Sequence, residues 1–157
     1  MYPIIAGMAK LPAFSLPGSD GKTWSSQDLK GTAFILYAYP KDATPGCTTQ
    51  ACDFRDAYPR LHKAGVPVFG LSPDSVASHQ RFIAKQELPF VLLADLEHAY
   101  ATKLAVWGDK QMYGKTFQGI IRSTFLVGAD GSILREWRKV KVTGHVDEVL
   151  AAVAELV

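Results

Sequence analysis

Cysteine is the scarcest chemistry in this chain of 157 residues, which holds only Cys47 and Cys52. So small a number excludes a disulfide scaffold, an architecture of small secreted chains with many more cysteines. Long apolar runs are also missing. None approaches the roughly eighteen residues of a spanning helix, so no membrane segment is expected. An excess of one charge is absent too: 17 basic and 15 acidic residues leave a net charge of +2, spread along the chain. That gives no electrostatic footprint for nucleic acid. Residues 1–10 carry their one charge at the end and do not read as an export signal. There is no repeat, linker or low-complexity tract.

What is present fits one domain over residues 1–157. With 48% hydrophobic residues, a chain of this length buries roughly 70% of its unfolded surface and needs no staple. Two cysteines in such a domain therefore suggest chemistry in a reducing, cytoplasmic setting, with a partner that is a small molecule or another protein.

The pattern of apolar residues sets the fold class. Residues 32–39, 66–71 and 90–94 are apolar on both parities, as in strands covered on both faces. Between them Phe54, Tyr58 and Leu61, then Val76, Phe82 and Ile83, repeat at helical period. Strand and helix alternate. This predicts an α/β fold with a central, mainly parallel sheet and helices on both faces. The turn-rich spacer Pro17-Gly18-Ser19-Asp20-Gly21 suggests an N-terminal hairpin, and Ser25 or Ser26 can cap a short turn toward Leu29. Residues 121–127 and 133–137, joined at Asp130-Gly131, form a second hairpin, and residues 146–156 a closing amphipathic helix. Pro59 falls inside a helical pattern, where it removes a donor and crowds the carbonyl of Arg55, so a kink is expected near Tyr58.

The cysteines stand where the first such helix begins. In Thr44-Pro45-Gly46-Cys47, threonine can be the N-cap and proline the first helical residue, with the Thr44 hydroxyl accepting from the Cys47 N–H. Cys47 then lies among the unpaired N–H groups of the first turn, where the helix dipole favours a thiolate. Ionisation alone adds little. A cysteine whose pKa falls from about 8.5 to about 6 gains only about thirtyfold in thiolate at neutral pH. A much faster reaction must rest on donors that stabilise charge developing on the substrate.

The five-residue spacing has its own consequence. In a regular helix an i, i+5 pair has Cα atoms roughly 8.7 Å apart, beyond the limit of about 7 Å for a disulfide. If both are helical when reduced, a bridge must unwind the first turns, and Pro59 would limit how far unwinding spreads. Two alternatives stay open. An arbitrary cysteine pair is more often two small buried hydrophobes, a preference that the helix-start position reverses. A zinc site is disfavoured because C-x4-C has no second cysteine or histidine pair nearby, His62, His79, His98 and His145 being scattered. By themselves Thr44 reads as a cap, Arg122 as a solvated strand end, Trp107 and Tyr113 as packing, and the basic residues of 135–141 as a protected edge.

Taken together, the motif resembles the peroxiredoxins. Pro40, Thr44 and Cys47 match P-x-x-x-T-x-x-C, and residues 46–56 match G-C-T-x-[EQ]-A-C-x-F-R-D of the bacterioferritin comigratory protein or PrxQ group. The similarity extends through Pro12-Ala13-Phe14-Ser15-Leu16, Val106-Trp107-Gly108, Met112-Tyr113-Gly114-Lys115, residues 119–126 and Gly144-His145. It implies a thioredoxin-like fold with an N-terminal hairpin addition. It also implies a thiol peroxidase for hydrogen peroxide and organic hydroperoxides, without metal or other cofactor. Under it Cys47 is the peroxidatic cysteine, Thr44 and Arg122 orient sulfur and peroxide, Pro40 shields the pocket, and Cys52 resolves the sulfenic acid as an intramolecular disulfide. Thioredoxin, or glutaredoxin, would reduce that disulfide, and the chain would act as a monomer. A peroxide sensor that relays its disulfide to a partner protein is the competing expectation.

Overall fold

The computed structural model describes residues 9–156, so most of residues 1–10 lie outside it. Its centre is a five-stranded sheet in the order β5-β4-β3-β8-β9. Here β3 is Phe34–Ala38, β4 Val68–Ser72, β5 Val91–Ala94, β8 Ser123–Val127 and β9 Ile133–Arg138. Every residue of β3, β4 and β8 is buried, as apolar runs without alternation require. The parallel pairs β3–β4 and β4–β5 are those joined by helical crossovers, α1 (Pro45–Lys63) and α2 (Val76–Gln86). The pairs β3–β8 and β8–β9 are antiparallel, so the sheet is mixed, with its parallel half on the crossover side.

The pleat of β3 divides the core. Ile35 and Tyr37 point to one cluster, with Phe54, Ala57 and Leu61 of α1 and Val149 and Val153 of α4 (His145–Ala154). Phe34, Leu36 and Ala38 point to the other, with Leu11, Phe14, Tyr100 and Val106. Alternate residues of one strand thus serve two layers. This fixes the register of β3, and with it the point where the chain leaves the sheet toward the cysteines.

The N-terminal hairpin forms from β1 (Ser15–Pro17) and β2 (Thr23–Ser25). Ser25 caps the 3-10 turn Ser26–Leu29, with the Asp28 carboxylate reaching back to the Ser25 N–H. Two elements escaped sequence reasoning. Helix α3 (Ala99–Lys103) has only five residues, too few for a period. The hairpin of β6 (Trp107–Met112) and β7 (Lys115–Ile120) stands apart from the main sheet and is largely exposed, so it needs no apolar alternation. Its one signal was Tyr113-Gly114, which take φ of 53° and 75° as a two-residue primed turn demands. Helix α1 continues through Pro59 to Lys63. The Pro59 nitrogen has no hydrogen to donate, so the helix runs on without that bond. Among the described residues no helix is long and apolar enough to cross a membrane.

His145 opens α4, buried against Phe54 and Trp137, with Nε2 2.8 Å from the Thr124 hydroxyl oxygen. Burial pushes its pKa down to about 4, the Arg122 charge adds to the shift, and Glu148 opposes it. An unfolded histidine titrates near 6.5. Between about 6.5 and 4 the unfolded chain therefore binds the extra proton, and stability falls as pH falls. Thermal melts from pH 7 to 4 are expected to show a steeper loss for the native chain than for His145→Asn. Parallel curves would contradict the assignment.

Candidate active site

The end of β3 and the start of α1 deliver the residues singled out from the sequence, and β8 brings the distant one. Tyr39 is held by its N–H to the Leu71 carbonyl (3.0 Å), after which the chain turns through Pro40 to Thr44 and enters α1 at Pro45. Cys47 is in the first turn, 2% exposed. The early N–H groups of that turn have no partner within the helix. Arg122 immediately precedes β8, and antiparallel pairing of β8 with β3 places it opposite the helix start. Its Nη2 donates to the Cys47 Sγ (3.3 Å) and its Nη1 to the Gln50 Oε1 (2.6 Å). Gly46 permits this approach: a Cβ there would stand 3.3 Å from Nη2.

Thr44 behaves differently from the cap foreseen. It sits at the N-cap position in extended backbone, but its side chain accepts no helix N–H. Its hydroxyl instead donates to the Lys41 carbonyl at 2.8 Å. A threonine at a helix start can bond either the helix or the preceding turn; here it closes the turn. The Cys47 N–H is therefore not taken up by the Thr44 side chain.

Gln50 is the contributor that sequence reasoning left without a role, though it fills the [EQ] position of the motif. It is fully buried; its oxygen receives Arg122 while its Nε2 has no partner among the described residues. A neutral amide steers the guanidinium without cancelling its charge. In the same buried cluster as Cys47, Tyr37 has a hydroxyl without a partner among the described residues. Burial raises its pKa well above the ordinary tyrosine value, and negative charge at Cys47 raises it further. The phenol stays protonated.

Beside Arg122 lies an open cavity of about 380 Å³, lined by Pro40, Asp109, Lys110, Ile121, Lys139 and Val140 among others. Lys110 donates to the Ile120 carbonyl (2.9 Å). Burial, then the Arg122 charge, lowers its pKa, against a smaller opposing pull from Cys47. Three cations, Lys110, Arg122 and Lys139, line this cavity, and Arg122 links it to the Cys47 sulfur.

Both cysteines are free thiols. Cys52 is half-buried on another side of the same helix, its Sγ 3.6 Å from the Gln86 Oε1. The two sulfurs thus face different elements. Asp42, Asp74 and His79 present three potential ligand atoms within 4.8 Å of one another, but in this geometry hydrogen bonds occupy those atoms.

An α/β sheet of this order, with a first-turn thiol held by a guanidinium, defines a thiol-based oxidoreductase on a thioredoxin-like scaffold. The chain belongs to the AhpC/TSA family, which it matches over residues 8–135, and within it to the PrxQ or Bcp group of peroxiredoxins. It is 51% identical over 141 residues to a putative peroxiredoxin bcp of Coxiella burnetii, covering 90% of this chain and 93% of that one. Against Peroxiredoxin Bcp of Bacillus subtilis the identity is 46% over 147 residues, 94% of each chain. In three dimensions it is similar to Xanthomonas campestris Peroxiredoxin Q, with a TM-score of 0.86 at 44% identity over 92% of each chain. The protein is accordingly a thiol peroxidase.

Proposed function

We propose that Cys47 is the peroxidatic cysteine of a thioredoxin-recycled peroxidase working on hydrogen peroxide and organic hydroperoxides in the cytoplasm, as a monomer. The observation that carries this reading is the 3.3 Å contact between Arg122 Nη2 and the Cys47 sulfur. The thiolate attacks the nearer peroxide oxygen, the O–O bond breaks, and the leaving oxygen takes a proton as water or alcohol. Sulfur is left as a sulfenic acid. Arg122 and the first-turn N–H groups stabilise charge as it develops on the peroxide oxygens. Thr44 supplies a directed hydroxyl, and Pro40 screens one side of the pocket from water.

Cys52 then condenses with the sulfenic acid, expelling water and forming the intramolecular disulfide. An external dithiol restores both thiols by exchange through a mixed disulfide. No cofactor enters the cycle.

Stopped-flow mixing of reduced protein with one equivalent of peroxide, followed by mass mapping, tests the scheme. The expected product is a single Cys47–Cys52 bridge, which thioredoxin reduces; reduction by glutaredoxin alone would reassign the external dithiol. Cys52→Ser is expected to keep the first oxidation step and lose thioredoxin-dependent turnover at least about tenfold. Normal turnover of that variant would point to another resolving thiol.

A further inference from the structure

Asp42 is the one buried residue of the loop between Tyr39 and Cys47, at 7% exposure, and its carboxylate is enclosed by donors. Tyr39 donates its hydroxyl to Oδ1 (2.5 Å), Ser78 donates its hydroxyl to Oδ2 (2.8 Å), and His79 Nδ1 lies 2.8 Å from Oδ2. His79 is itself fully buried in α2, and its other nitrogen lies 3.0 Å from the Leu93 carbonyl of β5. Both ring nitrogens thus lie within hydrogen-bond distance of oxygen atoms, which fixes the ring from two sides. Burial works to raise the Asp42 pKa, but the bonds from His79, Tyr39 and Ser78 leave it net below the ordinary value. The loop's main chain is tied as well. The Asp42 N–H donates to Asp74 Oδ2 (2.8 Å), which also receives the Ser72 hydroxyl (2.6 Å).

One residue beyond, Ala43 has φ of 62°. A residue with a side chain holds that left-handed conformation only where its surroundings over-determine it. Asp42 is the over-determining neighbour, and Thr44, bonded to the Lys41 carbonyl, takes its position from the same turn. Among the hydrogen bonds of the described residues, the Cys47 sulfur is reached by Arg122 and by none of these groups.

We infer that the buried Asp42–His79 pair is a positioning device for peroxide reduction, fixing the strained turn that aims Pro40 and Thr44 at the peroxide. The inference rests on the roles proposed above for those two residues. It binds the front of the site to α2 and β5, independently of α1. The aim of the loop then survives when the first turns of α1 rearrange around the cysteines, and the site re-forms against a fixed edge.

The test compares two reactions of one sulfur. Oxidation by peroxide needs the aimed loop, whereas alkylation by iodoacetamide needs only an accessible thiolate. In His79→Leu, the second-order rate of Cys47 oxidation is expected to fall at least about tenfold, the scale of a misplacement below 1 Å. The alkylation rate is expected to stay the same or rise. Combining His79→Leu with Asp42→Asn is expected to lose little more than the worse single variant, since both remove one device. A peroxide rate within twofold of the native chain, or equal losses in both reactions, would overturn the inference. If His79→Leu does not fold, Tyr39→Phe removes only one bond to Asp42 and is expected to slow oxidation severalfold without slowing alkylation; an unchanged oxidation rate there would overturn it. A native chain inert to peroxide would instead refute the proposed roles themselves, so the two failures are distinguishable.

Discussion

Cys47→Ser eliminates peroxide turnover, with an expected loss on the order of 10⁶-fold, the scale seen when the nucleophile of a catalytic constellation is removed. A serine hydroxyl stays protonated at neutral pH and has no redox ladder to climb, so neither the attack nor the sulfenic acid can occur. The fold is expected to survive. Cys47 is buried as a small side chain beside Gln50 and Ala51, and serine is close to isosteric, so the melting temperature should change by only a few degrees. Peroxide consumption in a coupled thioredoxin assay is the measurement. Retained activity would remove Cys47 from the chemistry and leave Cys52, bonded toward Gln86 and away from Arg122, to explain it.

Much of the scaffold was legible because its strands are buried on both faces and its crossovers keep helical period. Three buried strands and two helices between them dictate a sheet with covered faces; the start of α1 at Pro45 follows from residue pattern, while β3 and β4 begin two residues later than the apolar runs do. The hairpin β6–β7 was not legible for the converse reason: Asp109, Gln111, Thr116 and Gln118 face solvent and no apolar rhythm marks their strands. At the site, Cys47 and Cys52 were readable from helix chemistry, whereas Arg122 was not. The strand pairing Ala38–Ser123 brings it near, a contact over seventy residues that no local rule contains; only the family pattern supplied it. Thr44 shows a different limit. Its position was read correctly, but two competing partners lay within reach of its hydroxyl, and choosing between them required the turn at Asp42.

The helix itself explains how one sulfur can serve two partners in sequence. Cys47 and Cys52 both fall within regular helix, where a separation of roughly 8.7 Å forbids a bridge. Closing it requires the first turns of α1 to open, exposing Cys47, Gln50 and Ala51. Phe54 marks where opening meets resistance, since it is fully buried and stacked on Tyr37 at 4.6 Å. Arg122 holds both the Cys47 sulfur and Gln50 in the closed helix, so opening would put both contacts at stake. The geometry that favours attack on peroxide and the geometry that favours the disulfide thus exclude each other, and the oxidation state of sulfur decides between them.

Arg122→Gln is the second large effect, an expected loss of about 10²- to 10³-fold in the rate of Cys47 oxidation, the cost of removing one preorganised charge-stabilising donor. Geometry contributes more to this effect than charge does. One guanidinium reaches the sulfur with Nη2 and the buried Gln50 amide with Nη1, a fork that fixes its plane and, in the role proposed for it, would direct its donors toward the incoming peroxide. Arg122→Lys keeps the charge but not the fork, so it is expected to recover only part of the loss. It also leaves the Gln50 oxygen short of a partner inside the protein, which predicts a lower melting temperature for Lys as well as for Gln. Stopped-flow oxidation of the three proteins over a range of salt separates the contributions. A recovery by Lys that is complete at low salt and vanishes at high salt would mean that charge alone sufficed; a recovery that stays partial throughout supports the oriented pair of donors.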